Sequence, residues 1–462
     1  MMHQYMQIKR EYEDCLLFFR LGDFYELFLE DAKIGANVLG ITLTARPRGK
    51  DGDIPMAGVP YHAAEGYIAK LVSAGYKVAI CEQITQPNTK EIVHREVVRI
   101  VTPGTLIDES SLRPKEHNFF LVMAPGQHAC GVVVVDIGTG DIRLAQLEGE
   151  DLLGNSLRSF LDTFHPVECI VSPDWYSDPT IIERIVKERS INLFPYDAWV
   201  SDKTNLQEII NTYINEGEYS QLRLDESPRV LEALGNALSY VTHTQKGTAP
   251  HIKKISWHSS ADHMGLDSAT INNLELFEHA RDRSTKRSLV SLLDETMTAM
   301  GGRLLRQWVR APLVSVVEIQ ERHDVVDILL KKPLLRKTVR KTLSQLYDLE
   351  RLVSRVSLGY GGPKDLINIS LTVGKIQELF SALPKSESAT INRLVANSSP
   401  EASQLAVLIG KTISIDNSGS VDYSIASGST ESSTPFAHSF RRRRKPSLIL
   451  SVAKRKKVDW AL

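Results

Sequence analysis

The stretch Cys15–Phe28 restricts the fold more than any other. Cys15–Leu21 is a short apolar and aromatic run of the kind that forms a buried strand. Gly22 breaks the run, and Asp23 is placed to cap a helix reaching about Leu39, with Gly40 as its terminator. At helical spacing Tyr25, Phe28, Ala32, Ala36 and Leu39 make one apolar stripe, and Glu26, Glu30, Lys33 and Asn37 a polar one. Phe24 and Glu26 flank Tyr25, each turned away by about 100°. The core therefore holds Tyr25 most firmly, and Phe24 and Glu26 point outward from the first turn. Two readings of that pair stand side by side. Asp23 and Glu26 have the spacing of a capping box, with Phe24 packed beside the strand. Alternatively, an aromatic wedge with a carboxylate next to it suits a probe of a distorted DNA base step.

The chain has 462 residues, too many for one ordinary core, and three domains are the natural division. Hydrophobic residues make up 42% and charged residues 24%, values usual for a globular protein in water. No apolar run approaches the roughly 20 residues a membrane helix needs. Met1-Met2-His3-Gln4-Tyr5 has the form of neither a signal nor a transit peptide. Cys15, Cys81, Cys130 and Cys169 are scattered among apolar neighbours, as buried thiols of a reducing compartment are, and no C-x-x-C pair suggests a metal. The net charge of −1 gives no general support for nucleic-acid binding, so any basic face must come from local clustering.

Taken in order, the chain reads as a multidomain α/β plus α protein. Residues 1–104 alternate strands and helices: a strand at Ile41–Thr44, a helix at about Ala63–Ala74, strands at Lys77–Cys81 and Val97–Val101. Between them the loop carrying Arg46, Arg48 and Lys50 reads either as a solvated turn or as a phosphate-contacting loop that positions without reading sequence. Pro55 and Pro60 stiffen the segment holding Met56, Tyr61 and His62. Residues 105–117 are rich in turn formers and read as a linker. Residues 118–243 form a second α/β unit, with strands at His128–Asp136 and Asp141–Leu144 joined through Gly138-Thr139-Gly140. A helix near Asp151–Thr163, a strand at Glu168–Val171 and helices near Thr204–Ile214 and Arg229–Thr242 follow. From 244 to 415 the pattern is helical, and Met297, Met300, Leu304, Leu305 and Trp308 recur as a buried helix face. Residues 416–462 are polar and low in complexity with a basic end, a composition that predicts disorder. Asp136 and Asp141 leave a metal-dependent nuclease open as a rival reading, though Asp is common beside turns for conformational reasons alone.

Three blocks, Gly22-Asp-Phe-Tyr-Glu-Leu-Phe28, Ile54-Pro-Met-Ala-Gly-Val-Pro-Tyr-His62 and Val78-Ala-Ile-Cys-Glu-Gln83, resemble the mismatch-recognition domain of the MutS family of DNA mismatch-repair proteins. Phe24-Tyr25-Glu26 matches the Phe-x-Glu motif of that family. The strand and turn order after residue 118 is similar to its ribonuclease-H-like connector domain. The blocks Met264–Leu276, Ser291–Trp308, Ala311–Leu313, Asp348–Leu352 and Lys364–Leu366 resemble its core and lever helices, although Ile271-Asn272 stands where the family commonly has two arginines. The resemblance implies binding of double-stranded DNA with mismatches or small loops, with Phe24 stacking and Glu26 hydrogen-bonding at the mispaired step. It sets Met56, Tyr61 and His62 near the recognition surface. It also implies a homodimer, downstream mismatch-repair proteins as partners, and a cytoplasmic, nucleoid-associated location. ATP and Mg2+ belong to an ATPase domain for which this chain has no G-x-x-x-x-G-K-[ST] loop, so no cofactor and no ATP hydrolysis are expected of it. The resemblance runs from Met1 to about Ile415. Its abrupt end is what a frameshift or truncated gene would leave; the other reading of the tail is a basic arm that adds non-specific DNA affinity. A scaffold that binds repair proteins without touching DNA is the remaining alternative.

Overall fold

The computed structural model describes residues 1–46, 53–84, 93–108, 110–149, 154–179, 185, 191–383, 388–396, 399–415 and 423–425. Its N-terminal unit contains α1 (Met2–Glu11), β1 (Cys15–Leu21), β2 (Phe24–Phe28), α2 (Leu29–Leu39), β3 (Thr44–Arg46), β4 (Ile54–Pro60), α3 (Ala64–Ser73), β5 (Lys77–Gln83) and β6 (Arg95–Val101). The six strands form one sheet in the order β3-β4-β2-β1-β5-β6, in which only β1 and β5 run parallel. Side chains alternate between the two faces of a strand. Leu16, Phe18, Tyr25, Leu27, Ala57 and Val59 therefore pack under α2 and α3. Leu17, Phe19, Phe28 and Ile54 pack on the other face against Tyr5 of α1. The Tyr5 ring meets Phe19 and Phe28 edge-on at 5.5 and 5.0 Å, and its hydroxyl donates to Asp31 Oδ2 at 3.2 Å.

A single helix from Asp23 to Leu39 is not what forms. Gly22 (φ +57) and Asp23 make a two-residue turn that pairs Leu21 with Phe24, and residues 24–28 return as β2 before α2 begins at Leu29. Phe24-Tyr-Glu-Leu-Phe28 has a period of two and serves two cores at once. Tyr25 and Leu27 face α2 and α3, while Phe28 faces α1. A helix would have put Tyr25 and Phe28 on one side and starved the other. The Asp23–Glu26 capping box goes with the lost first turn. Ala32, Ala36 and Leu39 do line the buried side of α2, and Gly40 (φ +68) ends it.

The second unit holds β7 (Phe120–Pro125), β8 (Ala129–Asp136), β9 (Asp141–Glu148), α4 (Asn155–Phe164), β10 (Glu168–Val171), β11 (Asn192–Pro195), α5 (Pro228–Gln245) and β12 (Lys254–Trp257). The strand order is β11-β10-β7-β8-β9-β12, an antiparallel β7-β8-β9 core with parallel strands on both sides. Helix α5 buries Val230, Leu234 and Leu238 against one face, and α4 buries Leu157, Phe160 and Leu161 against the other. Strand β12 falls in the stretch read from sequence as helical. Lys254-Ile-Ser-Trp257 is a half-exposed edge, so its composition carries little strand signal.

Beyond β12 the described residues are mostly helical and include α6 (Ala299–Arg310) and α7 (Leu349–Ser357). The apolar stripe expected to be buried is only partly so: Met300 packs half-buried against the cluster around Leu349 and Leu352 and Leu305 is half-buried, whereas Leu304 is 46% and Trp308 39% exposed, and Met297, just before α6, is also exposed. The polar face of α6 is the more deeply buried. Arg303, 1% exposed, donates to both oxygens of Asp348 at 2.7 Å and to Glu350 Oε2 at 2.6 Å. Gly302 leaves room for the Lys115 side chain, which a Cβ there would hit. Arg351 of α7 donates to the carbonyls of Arg113 and Glu116, and so ties the 113–118 segment to the helical region. Tyr423–Ile425 pairs antiparallel with Ile413–Ile415, so the expected disorder does not hold for those three residues. The rest of the 416–462 stretch lies outside the described residues. Among the described residues no helix is long and apolar enough to cross a membrane.

Candidate nucleic-acid interface

The register of β2 decides which side chains meet at the rim of the first sheet. Phe24 pairs with Pro60, Glu26 with Gly58 and Phe28 with Met56, and Thr44 and Arg46 of β3 continue the same face. Helix α1 covers one end of that face, over Phe19 and Phe28. Phe24 lies beyond its cover, beside the Gly22–Asp23 turn, and is 44% exposed.

Glu26 follows two residues later on the same face, inboard of Phe24. Its side chain lies over Gly58, where a Cβ would approach Oε2 to 2.5 Å, so glycine makes the space the carboxylate uses. Glu26 Oε2 is buried and accepts no hydrogen bond. Burial pushes the carboxyl above its ordinary range, against the opposing pull of the Arg46 charge. A half-buried carboxyl with an idle oxygen can accept from an incoming N–H or, once protonated, donate.

Tyr61 and His62 stand on a short 3-10 turn after β4, on the opposite side of the sheet. Tyr61 packs against the core under α2 and α3. The Arg20 guanidinium stacks over its ring at 3.8 Å, pairs with Glu82 at 3.7 Å, and Glu82 also accepts from the Tyr25 hydroxyl. Tyr61 is thus held by an intramolecular stack, and His62 is exposed at its edge, 5.8 Å between ring centres. Arg20 and Gly58 are the two residues of this rim that sequence reading did not single out. The signal was there for Arg20, the one charge inside the Cys15–Leu21 strand.

The eight candidates therefore divide. Phe24, Glu26, Arg46 and Met56 share one face. Met56 is half-buried against the α1 core, and Arg46 is exposed, with Nη1 3.2 Å from Met1 Sδ. Tyr61 and His62 sit around the sheet edge, and Arg48 and Lys50 lie outside the described residues.

The two acidic residues considered for metal chemistry are committed elsewhere. Asp136 is fully buried, 2.8 Å from His117 Nδ1, and accepts from Gly138 N at 2.9 Å. Burial works to raise its pKa, but His117, Arg351 and Arg303 outweigh that and hold it down at about 2. Asp141 pairs with Arg143 at 3.1 Å. Among the described residues no group of three His, Cys, Asp or Glu is placed to hold a metal ion. The glycine-rich turn at Gly359–Lys364 does not fit a nucleotide phosphate either. Asp365 Oδ2 already accepts from the Gly362 N–H at 2.7 Å and pairs with Arg355 at 3.1 Å.

Comparison with known proteins gives three consecutive matches: MutS domain I over residues 1–110, MutS domain II over 118–253 and MutS domain III over 269–427. A protein of Alkaliphilus oremlandii named DNA mismatch repair protein MutS is 40% identical over 400 residues, covering 86% of this chain and 45% of that protein. Proteins of the same name from Alkaliphilus metalliredigens and Staphylococcus aureus are each 40% identical, over 403 and 384 residues. This chain spans less than half the length of these relatives, 46% and 41% in the last two cases. With all three domain matches in order along one chain, it belongs to the MutS family.

Proposed function

We propose that the chain recognises mispaired or looped double-stranded DNA, by testing how readily a base step unstacks against Phe24. The observation that carries this reading is the Phe24 ring, 44% exposed on a sheet face whose other aromatics, Phe19 and Phe28, are fully buried. Folding gives no reason to leave that ring in water. A mismatch lowers the cost of kinking and unstacking a duplex at that step, and an apolar wedge entering from the minor groove selects the sites where the cost is least. Glu26 supplies a polar contact beside the wedge, as acceptor from a base N–H or as a protonated donor. Arg46 contacts a phosphate and fixes position. The names of the relatives, which specify DNA mismatch repair, are consistent with this reading.

In the same reading the second unit is a ribonuclease-H-like connector and the helical region is part of a core and lever. A second copy of the chain and downstream repair proteins are partners of the complete family protein. A scaffold role is the second reading, favoured by exposed apolar side chains such as Leu292, Val316 and Leu334. A titration of the chain with a singly mismatched duplex and its fully paired counterpart separates the two. Tighter binding of the mismatched duplex supports DNA recognition; no binding of either leaves the scaffold. Within the first reading, Glu26→Gln retains affinity better than Glu26→Lys, and equal affinities refute the hydrogen-bonding role.

A further inference from the structure

We propose that the junction of the second sheet with α6 is a binding site for a small oxyanion, sized for one phosphate or diphosphate group, with Arg306 and Arg310 as its principal ligands. A cavity of about 220 Å3 lies there, among the 115–119 segment, the end of α4 and the inner face of α6. Five cationic side chains line it, Lys115, Arg143, Arg303, Arg306 and Arg310, against the one carboxylate of Glu116.

Three of the five are neutralised from behind. Lys115 pairs with Asp294 at 2.8 Å, Arg143 with Asp141 at 3.1 Å, and Arg303 with Asp348 at 2.7 Å. Arg306 reaches only Glu116, at 3.7 Å, and Glu116 is shared with Arg113 at 3.2 Å. Arg310 donates to the Asp162 carbonyl at 3.3 Å and stacks on Phe277 at 4.0 Å. Arg310 makes no direct ion pair among the described residues, its acidic neighbours Glu116, Asp162 and Glu278 acting on it only at longer range. Hydrogen-bond donors are left over as well: Arg306 Nε and Arg303 Nε are buried with no partner, the latter on a side chain 1% exposed.

A buried cation without a counter-charge and a buried N–H without an acceptor are both costly. One tetrahedral oxyanion relieves both, since guanidinium forks match its geometry. Burial, reinforced by Arg306 and only partly opposed by Glu116, Asp162 and Glu278, pushes Arg310 down to about 10, a direction that a bound anion reverses. His258, on the wall, is held at about 4 by burial and by its neighbours His263 and Arg143. Size sets the class of ligand. The cavity is smaller than the roughly 300–1,000 Å3 of pockets for drug-sized ligands, so it takes a phosphate or diphosphate group and not a whole nucleotide. The phosphate is either free or the terminal group of a nucleotide whose remainder projects outward.

The test uses the full chain and titrates inorganic phosphate, pyrophosphate and AMP by calorimetry and by thermal unfolding, with NaCl holding ionic strength constant. Saturable heat and a rising Tm with phosphate or pyrophosphate are expected. Arg306→Gln combined with Arg310→Gln weakens Kd about tenfold or more, while Lys203→Gln, at an exposed pair on another face, leaves it unchanged. AMP binding as tightly as phosphate assigns the site to a nucleotide's phosphate; weaker binding assigns it to the free anion. Absence of saturable binding, or equal binding by the double variant, overturns the proposal. If the double variant does not fold, NMR titration of His258 in the unaltered chain decides: its pKa rises with phosphate, and a static value overturns the proposal.

Discussion

Phe24→Ala is the sharpest perturbation this structure offers. A phenylalanine buries roughly 200 Å2 when covered, and 44% exposure leaves about 90 Å2 for a partner to cover. At about 25 cal/mol per Å2 that surface contributes about 2 kcal/mol, roughly 40-fold in affinity. The figure agrees with the roughly 1–3 kcal/mol lost when an aromatic stacked on a base is truncated. A paired duplex resists opening, so the ring gains this energy only at a weakened step. The truncation should therefore fall on the mismatched duplex alone. The assay is fluorescence anisotropy at one fixed salt concentration, because phosphate contacts change with salt and the ring contact does not. The ratio of paired to mismatched Kd should drop by about 40-fold or collapse to one. Removing the covered part of the ring also costs at most about 2–3 kcal/mol of stability, so binding is measured well below the unfolding transition. Phe24→Leu, an apolar wedge without a π face, should fall between the two. An unchanged ratio in Phe24→Ala, or an equal loss on both duplexes, refutes the wedge.

The interior gives further expectations. Gly131→Ala drives a Cβ into the backbone of Arg229 at the start of α5, and urea unfolding should register a loss of about 3 kcal/mol. Arg303→Ala strands Asp348 at the buried junction and should cost about 3–5 kcal/mol; a loss under 1 kcal/mol would count against an ion-paired α6 face. Asp136 has its folded pKa depressed to about 2, below its unfolded value near 3.9. Its contribution, about 2–3 kcal/mol, is present above the unfolded value and disappears as pH falls through it towards about 2; Asp136→Asn should flatten the acid limb there. His251 donates to the Ile137 carbonyl at 2.8 Å and is held at about 4 by burial. Below pH about 6.5 the unfolded chain takes up the proton first, so stability falls between about 6.5 and 4, and His251→Gln should reduce that slope.

Much of the fold is legible from local pattern. The strand Cys15–Leu21, the helix after Tyr61, the strands around Val78 and Val97 and the hairpin at Gly138–Gly140 all follow from periodicity and turn residues. The failures have physical causes. Phe24–Phe28 is flanked by a cap-like Asp and a true helix, and only its two opposite cores reveal period two. The α6 stripe looks like core because the sequence does not show that Arg303 finds Asp348 and Glu350 across the junction. Exposure of Phe24 follows from how far α1 reaches along the sheet, a tertiary fact. Glu26 as a residue beside Phe24 is legible; its dependence on Gly58 needs the register of β2 with β4.

The most direct measurement places a 19F label on the ring itself. With 4-fluorophenylalanine at position 24, a mismatched duplex should move and broaden the 19F resonance as the ring leaves water and stacks, while a paired duplex at equal occupancy should leave it near its free position. A resonance that responds equally to both duplexes, or to neither while DNA is bound, would contradict the wedge at the centre of this account.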